Sequence, residues 1–147
     1  MKQSLSRRAG LMWSALIALG IFKPLCASAE VLNVSQAELL AMKLAADGIT
    51  LDFPSLADTG AAIPLQVIVV APKGTRIETI EIFLPENPNT HALKLKMIEP
   101  RVRFDFTTRL RLAGSQDVWV VVTYSDGSRR GSSAPTVVTS SACFDAS

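Results

Sequence analysis

The chain has 147 residues, with 15 basic against 13 acidic side chains, a formal net charge of +2 and 48% apolar residues. That length supports one domain with a single core, and so even a charge balance gives no argument for a surface built for nucleic acid or an anionic membrane. Two cysteines and one histidine are too few for a zinc set or a disulfide-dense scaffold.

Residues 1–29 read as an export signal. Lys2, Arg7 and Arg8 give a basic start, Leu11 to Phe22 an apolar run, and Ala27-Ser28-Ala29 a peptidase site before Glu30. Twelve helical residues span only about 18 Å, well short of a bilayer core of about 30 Å, so no permanent membrane anchor is expected. Ser6-Arg7-Arg8-Ala9-Gly10-Leu11 resembles the twin-arginine export signal. Leu25 before Cys26 is too large for a lipoprotein signal. Cleavage removes four basic residues (Lys2, Arg7, Arg8, Lys23) and Cys26, leaving a weakly acidic chain with a single cysteine, Cys143.

Residues 30–48 are predicted to be an N-terminal helical segment. Ser35-Gln36-Ala37-Glu38 forms a capping box, Leu39, Leu40, Met42 and Leu44 supply the apolar stripe, and Asp47-Gly48 ends it. Residues 49–139 then read in period two. Ile63 to Val70 and Arg76 to Leu84 are strands, the second ending at Pro85-Glu86-Asn87-Pro88-Asn89. Leu93 to Ile98 is a third, closed by Pro100. Between Arg101 and Leu112 the alternation predicts Val102, Phe104, Phe106, Thr108, Leu110 and Leu112 in the core. The opposite face, with Arg101, Arg103, Arg109 and Arg111, is expected to be exposed. Val118 to Tyr124, apolar on both faces, reads as a central strand whose second face is available to a partner. Ser125-Asp126-Gly127-Ser128 is a hairpin turn and Thr136 to Thr139 the last strand. The pattern predicts an all-β fold, an immunoglobulin-like antiparallel β-sandwich with a short N-terminal helix and a mobile cysteine-bearing C-terminal tail, 140–147.

Catalytic constellations are absent from the pattern. His91 stands alone beside the Asn-Pro-Asn loop and reads as a solvated side chain. There is no Cys-x-x-Cys and no glycine-rich phosphate loop, so no cofactor or metal is assigned. Cys143 is left. A lone cysteine four residues from the terminus, behind Ser140-Ser141-Ala142, sits where chains fray rather than where thiols pack as core. In an oxidising compartment such a thiol pairs between molecules or carries a reactive role. Asp145 and the terminal carboxylate disfavour its thiolate, so it suits a tail that reacts inside a basic pocket of another protein.

Several stretches resemble SoxY, the sulfur-carrying subunit of the bacterial thiosulfate-oxidising system. They are Ala61-Ala62-Ile63-Pro64-Leu65-Gln66-Val67, Ile80 to Phe83 with Glu86-Asn87-Pro88-Asn89-Thr90, Thr107 to Ala113, Tyr124 to Ser128, and Val137-Val138-Thr139 leading to Ala142-Cys143. The resemblance implies a periplasmic, non-catalytic carrier in a heterodimer with a SoxZ-like subunit. It implies that Cys143 is the covalent sulfur attachment site, loaded through a c-type cytochrome and unloaded by a dimanganese hydrolase. A periplasmic binding or assembly domain that uses Cys143 only for a disulfide-linked dimer is the alternative.

Overall fold

The structure, a computed structural model, describes residues 34–140. The expected signal segment and Cys143 lie outside the described residues.

The capping box forms as its sequence requires. The Ser35 hydroxyl accepts from the Glu38 amide, and the Glu38 carboxylate accepts from the Ser35 amide at 2.7 Å, which holds Glu38 below the usual carboxylate range. Helix α1 is nevertheless only Gln36–Ala41, much shorter than the 30–48 segment predicted. Beyond it Lys43 takes a positive φ of 45° and the chain leaves the helix to run beside the last strand, where the Ala45 carbonyl accepts from the Gly131 amide at 3.0 Å. Leu44 needs that path. A Cβ on Gly131 would lie 2.7 Å from Leu44 Cδ1, so the glycine is the seat for the leucine.

Eight strands follow: β1 (Ile49–Asp52), β2 (Leu56–Ala57), β3 (Ile63–Val70), β4 (Ile77–Phe83), β5 (His91–Arg101), β6 (Arg103–Leu110), β7 (Gln116–Tyr124) and β8 (Arg129–Val138). They form two sheets, β1-β3-β6 and β2-β8-β7-β4-β5. Every pairing is antiparallel except β2 with β8, which run parallel over Leu56↔Val137 and Ala57↔Val138. The chain is an all-β sandwich, and β7 is the central strand of its larger sheet, as its composition indicated.

The alternation of β3 explains how the layers meet. Ile63, Leu65, Val67 and Val69 are buried while Pro64, Gln66 and Val70 are exposed. They face Ile80 and Ile82 of β4 and Val118, Val120, Val122 and Tyr124 of β7. Full burial of each such aliphatic side chain contributes about 1.5–3 kcal/mol. The second apolar face of β7 is covered by the chain itself. Trp119 and Val121, with Phe83, form a separate cluster capped by the fully buried Leu39 of α1. That face is therefore closed, and the expectation that it serves a partner is corrected. Val102 is a second correction: it is 58% exposed because the chain crosses from β5 in one sheet to β6 in the other at this point, so the alternation breaks there. The last strand is longer than Thr136 to Thr139, and β5 runs through Pro100 as an edge strand, where a missing amide costs no ladder bond.

Tyr124 is fully buried and its hydroxyl has no hydrogen-bond partner. Burial pushes its pKa above the ordinary value of 10.0, against a smaller opposing pull from Arg130. The folded state thus binds this proton more tightly than the unfolded one, so its contribution is whole below pH 10 and is lost as pH rises from there through the folded pKa. Tyr124→Phe is expected to be neutral or slightly stabilising at about pH 7. It should also remove part of the alkaline loss of stability, as read by urea unfolding above and below about pH 10. The chain has one tyrosine, so ultraviolet difference absorbance follows this group alone.

Candidate functional site

The predicted site residue, Cys143, lies outside the described residues; what the structure defines is the base from which its tail departs. The C-terminal half of β8 is gripped from both sides. On one side the Val137 amide donates to Ser55 O at 2.9 Å, the Thr139 amide to Ala57 O at 3.1 Å, and the Thr136 and Thr139 hydroxyls to Pro54 O and Asp58 O. On the other side the Val138 amide donates to Ser115 Oγ at 2.9 Å. The grip reaches the last described residue: the Gly60 amide donates to Ser140 O at 3.0 Å, and the Gly60 carbonyl in turn accepts from Leu112 at 2.8 Å.

Ser115 is itself positioned by residues that the sequence reading passed over. Asn87 sits in the Pro85-Glu86-Asn87-Pro88-Asn89 loop, whose start and end are tied by Leu84 N donating to Thr90 O at 2.7 Å. Its amide nitrogen donates to Arg111 O at 2.8 Å, and its amide oxygen accepts from Ala113 N at 2.9 Å and from Gln116 Nε2 at 2.8 Å. Gln116, a buried polar residue at the start of β7, then accepts from the Glu86 amide through Oε1 at 3.0 Å. Two loops are thereby fastened together directly beneath the tail base. The available signal was an asparagine held between two prolines and a lone glutamine opening an apolar strand.

Next to this base lies an open groove of about 500 Å³ lined by Gln36, Ser55, Ser115, Asp117, Pro135 and Val137. Leu56 and Val137, neighbours on the parallel pair, are 60% and 55% exposed.

His91 is placed differently from the expectation of a solvated loop residue. It opens β5, stacks on Phe83 at 4.9 Å between ring centroids, and brings Nε2 to 3.4 Å from Glu81 Oε1, which Lys94 also approaches at 3.1 Å. The arginine row falls as predicted, with Arg101, Arg103, Arg109 and Arg111 all exposed. Among the described residues no group of three or more His, Cys, Asp or Glu is placed to hold a metal ion, and no helix is long and apolar enough to cross a membrane.

Two packed sheets with a final strand held as far as Ser140 define the class, a small immunoglobulin-like β-sandwich domain. The chain belongs to the SoxY family: the family model described as "Sulfur oxidation protein SoxY" matches residues 36–143. The solved sulfur carrier protein SoxY from Chlorobium limicola f thiosulfatophilum is similar at 25% identity and a TM-score of 0.57, over 70% of this chain and 94% of that one. Two single-substitution variants of the superoxide reductase (neelaredoxin) from Ignicoccus hospitalis share the fold. The first has 16% identity and a TM-score of 0.50 over 63% of this chain and 82% of that one. The second has 14% identity and the same score over 71% and 89%. No curated protein matches in sequence.

Proposed function

We propose that the chain is a periplasmic sulfur carrier, not itself an enzyme, which holds intermediates of thiosulfate oxidation covalently on Cys143 and presents them to partner proteins. The observation that carries this reading is where the family match stops: it runs the length of the sandwich and ends at Cys143. The gripped strand supports it, because a base held as far as Ser140 leaves only three residues of chain up to Cys143 and so limits the reach of the thiol. In the loading step the Cys143 thiolate and thiosulfate form a new S–S bond, giving the S-thiosulfonate, and two electrons leave to a c-type cytochrome. In the unloading step water cleaves the S–S bond to the terminal sulfonate group. Sulfate and two protons are released and a persulfide anion stays on the cysteine. That hydrolysis belongs to a dimanganese enzyme. A SoxZ-like subunit is the partner in a heterodimer, and the twin-arginine signal carries the chain out of the cytoplasm.

Intact mass of protein purified from cells grown on thiosulfate is the test. A monomer is expected to carry sulfane or thiosulfonate increments that reductant removes. Cys143→Ser should abolish every increment and leave thermal unfolding unchanged, because a residue beyond the last gripped position contributes little to the core. Ala142 and Phe144 flank the cysteine where the family pattern has glycines, so Phe144→Gly should speed loading if bulk hinders entry to the cytochrome. A native protein with no reducible increment, found only as a disulfide-linked dimer through Cys143, overturns the carrier reading in favour of simple dimerisation.

A further inference from the structure

The sandwich is left open along one side. β5 is the outer strand of the larger sheet and β6 the outer strand of the smaller, and they share that side because the chain steps between them at Val102. Inner strands bury their core-facing residues almost completely. By contrast Leu95 and Met97 of β5 and Phe104 and Phe106 of β6 point at the same core and stay half-exposed. Between the two strands lies an open cleft of about 420 Å³ walled by Leu95, Met97 and Phe104. At its rim Ile98 is 100% exposed and Val102 58%. A run of apolar side chains beside an eleven-residue edge strand, paired on one side only with β4, is the combination that accepts an added strand.

Charge says which kind of strand. The charged residues that line the cleft are Lys96 and Arg101 against Glu99, in a chain that is weakly acidic once residues 1–29 are removed. Lys94 is engaged by Glu81, and Arg76 joins the same side by donating from Nη1 to Pro100 O. Lysines and a proline on an edge also suppress indiscriminate pairing. They do so selectively, because a second copy laid edge to edge would bring the same cations together, whereas an acidic strand would be drawn in.

We propose that the β5–β6 seam is a docking site for an extended segment of a different protein, a segment that adds to β5 and alternates carboxylates with apolar side chains. The proposal does not depend on what Cys143 carries.

A benzophenone side chain placed at position 98 of the full chain, photolysed in its native cells, tests it; the same group at position 56 is the control site. The expected result is an adduct at position 98 whose crosslinked peptide is strand-like and rich in Asp and Glu. Lys96→Glu combined with Arg101→Glu should reduce that adduct about tenfold or more. Because these side chains lie on the solvent side of an edge strand, circular dichroism should remain unchanged. An adduct to a second copy of this chain, an adduct to a basic segment, or none at position 98 overturns the proposal. The mass of Cys143 in the same cells reports on the carrier reading separately, so either can fail alone.

Discussion

Gly48→Ala is expected to destabilise the folded chain by about 3 kcal/mol, a large part of the roughly 5–15 kcal/mol typical of a small domain. Two costs act together. Gly48 has φ +81°, where a side chain costs about 1–2 kcal/mol. A Cβ there would also stand 2.4 Å from the Val70 carbonyl oxygen, which is backbone and cannot swing aside. Nor can the segments separate, since the Val70 amide donates to Gly48 O at 2.7 Å where β1 begins to pair with β3. Gly74 provides the comparison. Its φ is +84°, yet nothing lies within 4 Å of the position its Cβ would occupy. Gly74→Ala should therefore show the conformational cost alone, about 1–2 kcal/mol. Urea midpoints of the two variants, in the chain lacking residues 1–29, separate the contributions. Equal losses would mean that the contact with Val70 is not what fixes this corner.

The second large effect is expected at Asn87. Asn87→Ala removes three hydrogen bonds at once and leaves Gln116, which is 7% exposed, with an unsatisfied amide group inside the protein. Stranding a buried polar group costs about 1–3 kcal/mol, so a loss of about 2–3 kcal/mol is expected. The consequence extends to the tail. Ser115 lies in the loop that Asn87 fastens, and it holds the Val138 amide. Amide hydrogen exchange at Val138 and Thr139 should accelerate in the variant while exchange in β3 keeps its pattern. Asn89→Ala, at an exposed position in the same loop, should stay within about 0.5 kcal/mol. If Asn87→Ala left exchange at Val138 untouched, the loops would not be supporting the strand.

The strands that were plain in the sequence are those whose neighbours impose a clean two-residue period. Ile63 to Val70 has sheet partners on both sides and one solvent face, so its boundaries could be read directly. The capping box at Ser35 and the turn at Ser125 to Ser128 were equally plain, because their chemistry is local. In the turn Asp126 accepts from the Ser128 amide at 2.9 Å and Gly127 takes φ +78°. The first half of β8 was hidden because Arg130, Gly131, Ser132, Ser133 and Pro135 have little strand propensity of their own. Its pairing with β7 and its contact with Leu44 make it a strand. For the same reason the apolar outer face of β7 looked available, since nothing near Trp119 in the sequence announces that Leu39 will cover it. At the site, the cysteine was conspicuous by composition. Asn87 and Gln116 were not, because a pair of amides 29 positions apart declares itself only once the loops meet.

The strap of residues 34–48 has a consequence for how the chain is made. Gln36 bonds Asp117 across 81 positions, and β2 finds its partner only at Val137 and Val138. Both early segments therefore wait for residues made much later, Asp117 for Gln36 and β8 for β2, before they are satisfied. Closure of the sandwich is deferred until β8 has been made, and the many distant pairings make it slow by the standards of domains this size. During that interval Phe83, Trp119 and Val121 lie bare beside unpaired strand edges, which is when the newborn chain is most exposed to aggregation and most in need of a chaperone.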